Sequence, residues 1–173
     1  HQLLLARRGA VSSHVATASR AVRFDPSPYL RVGPGLANDG LPRFDLSTFN
    51  DDYFARLRSR VQDARSAGMY VSVMLFNGFS IDDKQGGPGN GCIGHPFNEV
   101  NNINGVDVDL NDDGFCEEAH TLSSGEVLAI QRRYIDRVVA AVGDLDNVLF
   151  EVSNESHADS QDWQYSIIDY LRS

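Results

Sequence analysis

The stretch NVLFEVSNE at residues 147–155 decides how we expect this chain to fold. Its middle, residues 148–152, is a short run of β-prone side chains that follows a polar turn, and such a run predicts a strand. Because side chains alternate along a strand, Glu151 and Glu155 share one face and Asn154 lies on the other. The sequence therefore predicts a strand whose C-terminal end carries an adjacent amide and carboxyl.

A carboxyl group in that place is suited to acid–base chemistry. Rigid strand backbone would hold Glu155 while its side chain reaches solvent, which is what a general acid needs. The alternative is that Glu155 caps a helix or lies on the surface. Glu151 falls in mid-strand, where a lone carboxylate is costly to bury. We therefore expect Glu151 to pair with an Arg or Lys in a structural role.

Hydrophobic periodicity elsewhere predicts helices that alternate with strands. Apolar residues recur at helical spacing over 51–67, where acids open the segment and a glycine follows it. Residues 69–76 form an almost continuous apolar run that suits a strand buried on both faces. Ser123 begins a second helix with capping-box spacing, and Trp163 marks a third. This order predicts an α/β fold with a parallel sheet.

Length and loop composition predict the domain organisation. With 173 residues the chain can bury a core as a single domain, 1–173. We can assign little to residues 1–27, and we expect the fold to occupy residues 28–173, beginning with an irregular, Gly- and Pro-rich connection at 26–35. Residues 77–121 form a Gly-, Asn- and Asp-rich loop of about 45 residues, a length that compact domains keep when it is functional or cross-linked.

The charge balance excludes two classes of partner. Against 15 Lys and Arg the chain has 24 Asp and Glu, which gives a formal net charge of −9 and opposes binding to nucleic acid or anionic membrane. No apolar run approaches the ~20 residues that span a bilayer. The leucines at residues 3–5 are followed closely by Arg7 and Arg8, so we expect this short run not to be the apolar core of a signal peptide.

Both cysteines, Cys92 and Cys116, fall in the long loop. A disulfide between them would cross-link the loop and indicate an oxidising, extracellular or periplasmic setting. Two free, buried thiols are the alternative.

The same loop contains DVDLNDDG at residues 107–114. Acid and amide side chains alternate from Asp109, and a glycine stands sixth, as in the first half of an EF-hand loop. The twelfth position is His120 instead of Glu, although Glu117 or Glu118 could supply a carboxylate from another offset. Hard oxygen ligands favour a structural Ca²⁺, with a solvated acidic turn as the alternative; we predict no cofactor for chemistry. The candidate ligands are Asp107, Asp109, Asn111, Asp113 and Glu118.

Several short motifs support one resemblance. They are GPG at 33–35, FDL at 44–46, YVSVMLF at 70–76, GHPFN at 94–98, NNING at 101–105 and NESH at 154–157. Together, over residues 28–173, they resemble the central part of cellulase-like glycoside hydrolases of the clan A (β/α)8 type. The resemblance implies a partial (β/α)8 (TIM-type) barrel with parallel strands and a long loop insertion at 77–121.

The resemblance also implies roles for individual residues. Glu155 would be the general acid/base, and Asn154 would hydrogen-bond the 2-hydroxyl of the bound sugar. Retaining enzymes need a second carboxyl about 5–5.5 Å away, which acts as the nucleophile. The resemblance places this nucleophile on a later barrel strand that is not present here. A partner chain, Asp82 or Glu151 would then have to supply it. Further candidate sugar-binding residues are Asn77, Phe79, His95 and His157, and for the histidines ordinary hydrogen bonding is the alternative.

The resemblance therefore implies a secreted glycosidase that acts on β-linked polysaccharide or oligosaccharide by a retaining mechanism, with a hydrolytic site that lacks the strand of the nucleophile. The alternative is a non-catalytic module derived from such an enzyme, which either binds carbohydrate or self-assembles with calcium as a stabiliser. Part of a barrel exposes sheet edges, so we expect a homo-oligomer that covers them.

Overall fold

The computed structural model describes residues 7–8, 24–81 and 91–173. These ranges contain three helices, α1 (Asp51–Ser66), α2 (Gly125–Val142) and α3 (Gln161–Arg172). Six strands pair into three two-stranded sheets. The strands are β1 (Arg7–Arg8), β2 (Phe24–Asp25), β3 (Tyr29–Leu36), β4 (Pro42–Phe49), β5 (Val71–Asn77) and β6 (Val148–Asn154). In these ranges no helix is both long enough and apolar enough to cross a membrane.

Strands β5 and β6 run parallel, as the sequence predicted, with Val71 opposite Val148 and Asn77 opposite Asn154. The buried amide of Asn147 fixes the start of this pair, because its Nδ2 donates to the carbonyls of Val61 at 3.2 Å and Met69 at 3.0 Å. Since parallel strands end at the same edge, this register brings the residues that follow β5 and β6 together.

The predicted partial (β/α)8 barrel is wrong. Within the described ranges one parallel pair and separate antiparallel pairs are present, and no barrel closes. In a barrel each strand is hydrogen-bonded along both edges, whereas among the described residues β5 and β6 have only each other as strand partners. The motifs at 33–35 and 44–46 belong to β3 and β4, which pair antiparallel with each other and do not join β5.

The expected irregular connection at 26–35 is in large part a strand. β3 pairs with β4 through two register shifts, and the second shift, between Arg31 and Leu36, contains the cis Gly33–Pro34 peptide. Glycine and proline occur at β-bulges as well as in loops. The composition of this segment therefore did not distinguish a bulged hairpin from a loop.

The helix boundaries follow local capping chemistry. Asn50 caps α1 by accepting from the backbone N–H of Asp52, and after the helix Gly68 adopts a φ of 71°. Ser124 is the N-cap of α2, because its side chain accepts from the N–H of Val127. The predicted start at Ser123 is therefore one residue early.

Two hydrophobic clusters form the core. In the first, the three helices cover one face of the parallel pair, around Phe54, Val138 and Trp163. The second joins β4 to the long loop and the start of α2. Burial alternates along β5, with Val71, Val73 and Leu75 buried and Ser72 exposed. The strand is therefore buried on one face, and the expectation of burial on both was wrong.

Candidate functional site

Two asparagine side chains meet at the carboxyl end of the parallel pair. Asn154 Nδ2 donates to Asn77 Oδ1 at 3.4 Å, and the same oxygen accepts from the N–H of Phe79 at 3.2 Å. Asn77 thereby caps the short 3₁₀ helix Gly78–Ser80 that leaves β5. The structure brings together two predicted sugar-binding residues, and an amide pair can donate to and accept from a hydroxylated ligand.

Glu155 follows β6 directly and has a φ of 48°, in the left-handed region that side chains other than glycine rarely adopt. Its side chain is exposed and has no hydrogen bond or ion pair with any residue in the described ranges. The capping positions of the next helical segments are His157 and Ser160. The helix-cap interpretation of Glu155 is therefore wrong, and its carboxyl faces solvent.

The backbone of Gly78 lies against the turn that carries Glu155. A Cβ atom at residue 78 would lie 2.6 Å from the carbonyl oxygen of Glu155 and 2.6 Å from the nitrogen of Ser156. Only glycine allows the segments after β5 and β6 to approach so closely. Sequence analysis did not identify Gly78, because the contact depends on the pairing of two distant segments.

A buried side-chain network lies beside the same turn. His120 is 3% exposed and stacks on the indole of Trp163, with ring centroids 4.2 Å apart and planes 9° apart. His120 Nδ1 is 3.0 Å from Ser156 Oγ. Burial, and then the charges of two neighbouring histidines, lower the pKa of His120 to about 3, so the ring is neutral near pH 7.

The other two predicted histidines make hydrogen bonds to backbone. His157 Nε2 donates to the carbonyl of Glu117 at 2.9 Å, and His95 Nδ1 accepts from the N–H of Phe97 at 3.1 Å. Burial lowers the pKa of His95 to about 4. These contacts agree with the ordinary structural role that was the alternative for both. Phe79 is 43% exposed beside Asn77.

Glu151 and Asp82 are the two carboxylates that could replace the missing nucleophile. Glu151 accepts from Ser72 Oγ at 3.4 Å and is in no ion pair among the described residues. The expected pairing of Glu151 with an Arg or Lys is not found among the described residues and stays a prediction. Asp82 lies outside the described residues.

The acidic loop is folded by its own side chains. Asp109 accepts from the N–H groups of Asp113 at 3.0 Å and Gly114 at 2.8 Å, while Asp107 accepts from the N–H of Asp109 at 3.2 Å. Asn111 Nδ2 donates to Asp113 Oδ2 at 3.0 Å. In the ranges that the structure describes, no group of three or more His, Cys, Asp or Glu side chains is placed to hold a metal ion.

Glu118 differs from the other candidate ligands because one of its carboxylate oxygens, Oε2, is buried and has no hydrogen-bond partner among the residues that the structure describes. Burial raises the pKa of this carboxyl, and the charges of Asp113 and Asp109 raise it further. Calcium binding at the acidic loop stays a prediction.

Cys92 and Cys116 are joined by a disulfide, and both are buried. The loop between them is also held by Asn102, which is fully buried and whose Nδ2 donates to the carbonyls of Pro96, Asn98 and Val106. These contacts, together with the apolar side chains that the loop gives to the second hydrophobic cluster, hold the described part of this segment in place. Sequence analysis found the cysteines but not Asn102, whose partners are all backbone groups.

The parts gathered at this edge are one exposed carboxyl, two amides and a buried histidine. They can transfer a proton to or from a ligand and hydrogen-bond its hydroxyl groups. Comparison of the chain with protein-family models, with curated proteins and with solved structures gives no match.

Proposed function

We propose that the carboxyl end of β5 and β6 is a carbohydrate site at which Glu155 acts as the general acid/base of a retaining glycosidase. Glu155 would protonate the glycosidic oxygen and then deprotonate the attacking water. The observation that carries the proposal is the solvent-facing carboxyl of Glu155 next to the Asn154–Asn77 amide pair. Ligand sites in α/β proteins lie at this end of parallel strands.

The backbone conformation of Glu155 supports the proposal independently. A non-glycine residue in the left-handed region costs about 1–3 kcal/mol and persists where the surrounding structure fixes it, often at functional sites. Besides Asp112 in the acidic loop, Glu155 is the non-glycine residue with positive φ in the described ranges. Its position at the strand end makes a specific function for the carboxyl the better explanation.

A retaining mechanism needs a second carboxyl about 5–5.5 Å from the first. Glu151 is directed toward Ser72 on β5. We therefore propose that a residue outside the described ranges, of which Asp82 is the first to test, or a partner chain supplies the nucleophile.

Hydrolysis of aryl β-glycosides by the wild-type chain and by Glu155→Gln tests the proposal. We expect the substitution to lower kcat by about 10²–10⁴-fold, because it removes the proton donor. The matched control is Glu99→Gln, which makes the same chemical change at an exposed residue of the 3₁₀ helix Glu99–Asn101 and should leave kcat unchanged. Equal rates for Glu155→Gln and wild type would contradict the role of Glu155.

A non-catalytic module is the second candidate, and the exposed apolar side chains of β6 favour it. Leu149 is 60% exposed and Phe150 is 37% exposed. Exposed apolar residues on an edge strand promote association. Oligosaccharide binding without product release, unchanged in Glu155→Gln, would favour a binding module. A mass that rises with protein concentration, with neither binding nor hydrolysis, would favour a self-assembling unit.

A further inference from the structure

A chain of hydrogen bonds ends in the turn that carries Glu155. Ser156 Oγ donates to Ser153 Oγ at 2.8 Å and lies 3.0 Å from His120 Nδ1. Because the Ser156 hydroxyl has one proton and gives it to Ser153, it accepts from His120, and the imidazole proton is therefore on Nδ1. Ser153 and Ser156 flank Asn154 and Glu155 in sequence, so His120 acts on the segment that presents the carboxyl.

The imidazole of His120 is itself fixed from two directions. Its face stacks on Trp163, which is fully buried and donates from Nε1 to Gln131 Oε1 at 2.9 Å. Gln131 Nε2 in turn donates to the carbonyl of Ala119 at 2.6 Å, on the residue just before His120. Rotation of the imidazole would break the stack on Trp163, and a shift of the backbone at His120 would break the hydrogen bond between the Ala119 carbonyl and Gln131.

The turn is confined on its other side by Gly78, whose backbone leaves no room for a Cβ atom against Glu155 and Ser156. The left-handed φ of Glu155 is thus held between a close backbone contact and a side-chain hydrogen bond. Strained conformations persist when the surroundings determine them in this way.

We propose that His120 is a positioning residue for the reaction, which through Ser156 holds the turn at Glu155 so that the carboxyl points toward the bound sugar. This inference rests on the proposed function, which assigns Glu155 its role. His120 makes no contact with the ligand in this scheme, because it is 3% exposed.

Two substitutions at residue 120 separate positioning from general stability. His120→Asn keeps an N–H donor near the place of Nδ1, and His120→Gln moves the donor away. We expect His120→Gln to lower kcat by about 10²-fold with KM unchanged, since a misplaced catalytic group reduces the chemical step. His120→Asn should recover most of kcat. Tyr53→Phe is the control: it removes a hydrogen bond to Tyr134, at 3.2 Å in the first hydrophobic cluster, that involves neither His120 nor the two serines, so kcat per folded molecule should match wild type.

A second readout does not depend on hydrolysis. The backbone amide signal of Glu155 in a ¹H–¹⁵N spectrum should shift in His120→Gln and return toward its wild-type position in His120→Asn. If the wild-type chain hydrolyses no glycoside, the proposed function fails, while the Glu155 signal still tests the positioning. An unmoved Glu155 signal in a folded His120→Gln variant, or an unchanged kcat, would overturn the inference.

Discussion

Substitution of Gly78 by alanine tests the packing on which the site depends. The added Cβ would lie 2.6 Å from the carbonyl oxygen of Glu155 and from the nitrogen of Ser156, closer than the 3.0 Å that real Cβ contacts respect. The obstructing atoms, which also include the Cα of Ser156, are all backbone atoms, so no side-chain rotation relieves the contact and one of the two turns must move.

We expect this overpacking to lower the free energy of unfolding by about 1–3 kcal/mol. For a chain of this size each kcal/mol corresponds to about 2–4 °C in Tm. Thermal unfolding followed by circular dichroism measures the shift. The ¹H–¹⁵N signals of Glu155 and Ser156 should also move, because these residues form the displaced turn.

Gly125→Ala is the matched control. A Cβ at residue 125 meets no atom within 4 Å, and this glycine is the first residue of α2. Alanine there should raise stability by about 0.4–1 kcal/mol, since it restricts the unfolded chain. If Gly78→Ala unfolded at or above the wild-type Tm, the close approach of the two turns would be refuted.

Three further predictions concern the loop around the site. Replacing Cys92 and Cys116 together by serine should lower the free energy of unfolding in urea by about 3–4 kcal/mol, because the disulfide closes a loop with a sequence separation of 24; an unchanged midpoint would contradict a stabilising cross-link. Calcium at 100 times its Kd should add about 2.7 kcal/mol to the free energy of unfolding and so raise Tm, and Asp109→Asn combined with Asp113→Asn should abolish this rise. If neither calcium nor a chelator changed the wild-type Tm, the predicted calcium site would be refuted. His95 has a pKa lowered from 6.5 to about 4, so the unfolded chain binds a proton before the folded chain does. The neutral His95 therefore stabilises the fold fully above pH 6.5, and this stabilisation is lost as the pH falls toward about 4, at up to about 1.4 kcal/mol per pH unit. His95→Asn keeps an acceptor for the N–H of Phe97, so its free energy of unfolding in urea should depend less on pH between 6.5 and 4 than that of wild type. The same pH dependence in both proteins would contradict this account.

The three helices and the two parallel strands could be predicted from the sequence. Helices α1, α2 and α3 and strands β5 and β6 have strong periodicity and cap or turn residues close to their ends, and these signals are local. The parallel pairing followed because a helix separates the two strands. The hairpin of β3 and β4 was missed, since its glycines and proline signal a loop as strongly as a bulge.

The number of strands in a sheet is not a local property. Motifs that resembled a barrel enzyme led to a partial barrel, whereas the described residues form separate two-stranded sheets. Which edges pair depends on contacts between distant segments, and the short motifs do not encode those contacts individually.

By itself, the sequence determined the helices, the parallel strands, the acidic loop and the position of Glu155 at a strand end, because each depends on neighbours a few residues away. Only the tertiary structure decided that Asn77 meets Asn154, that Gly78 lies against the Glu155 turn and that His120 reaches Ser156. These contacts join residues 36 to 77 positions apart in the chain. Their geometry arises only when the helices pack on the parallel pair and the long loop folds back over its carboxyl end.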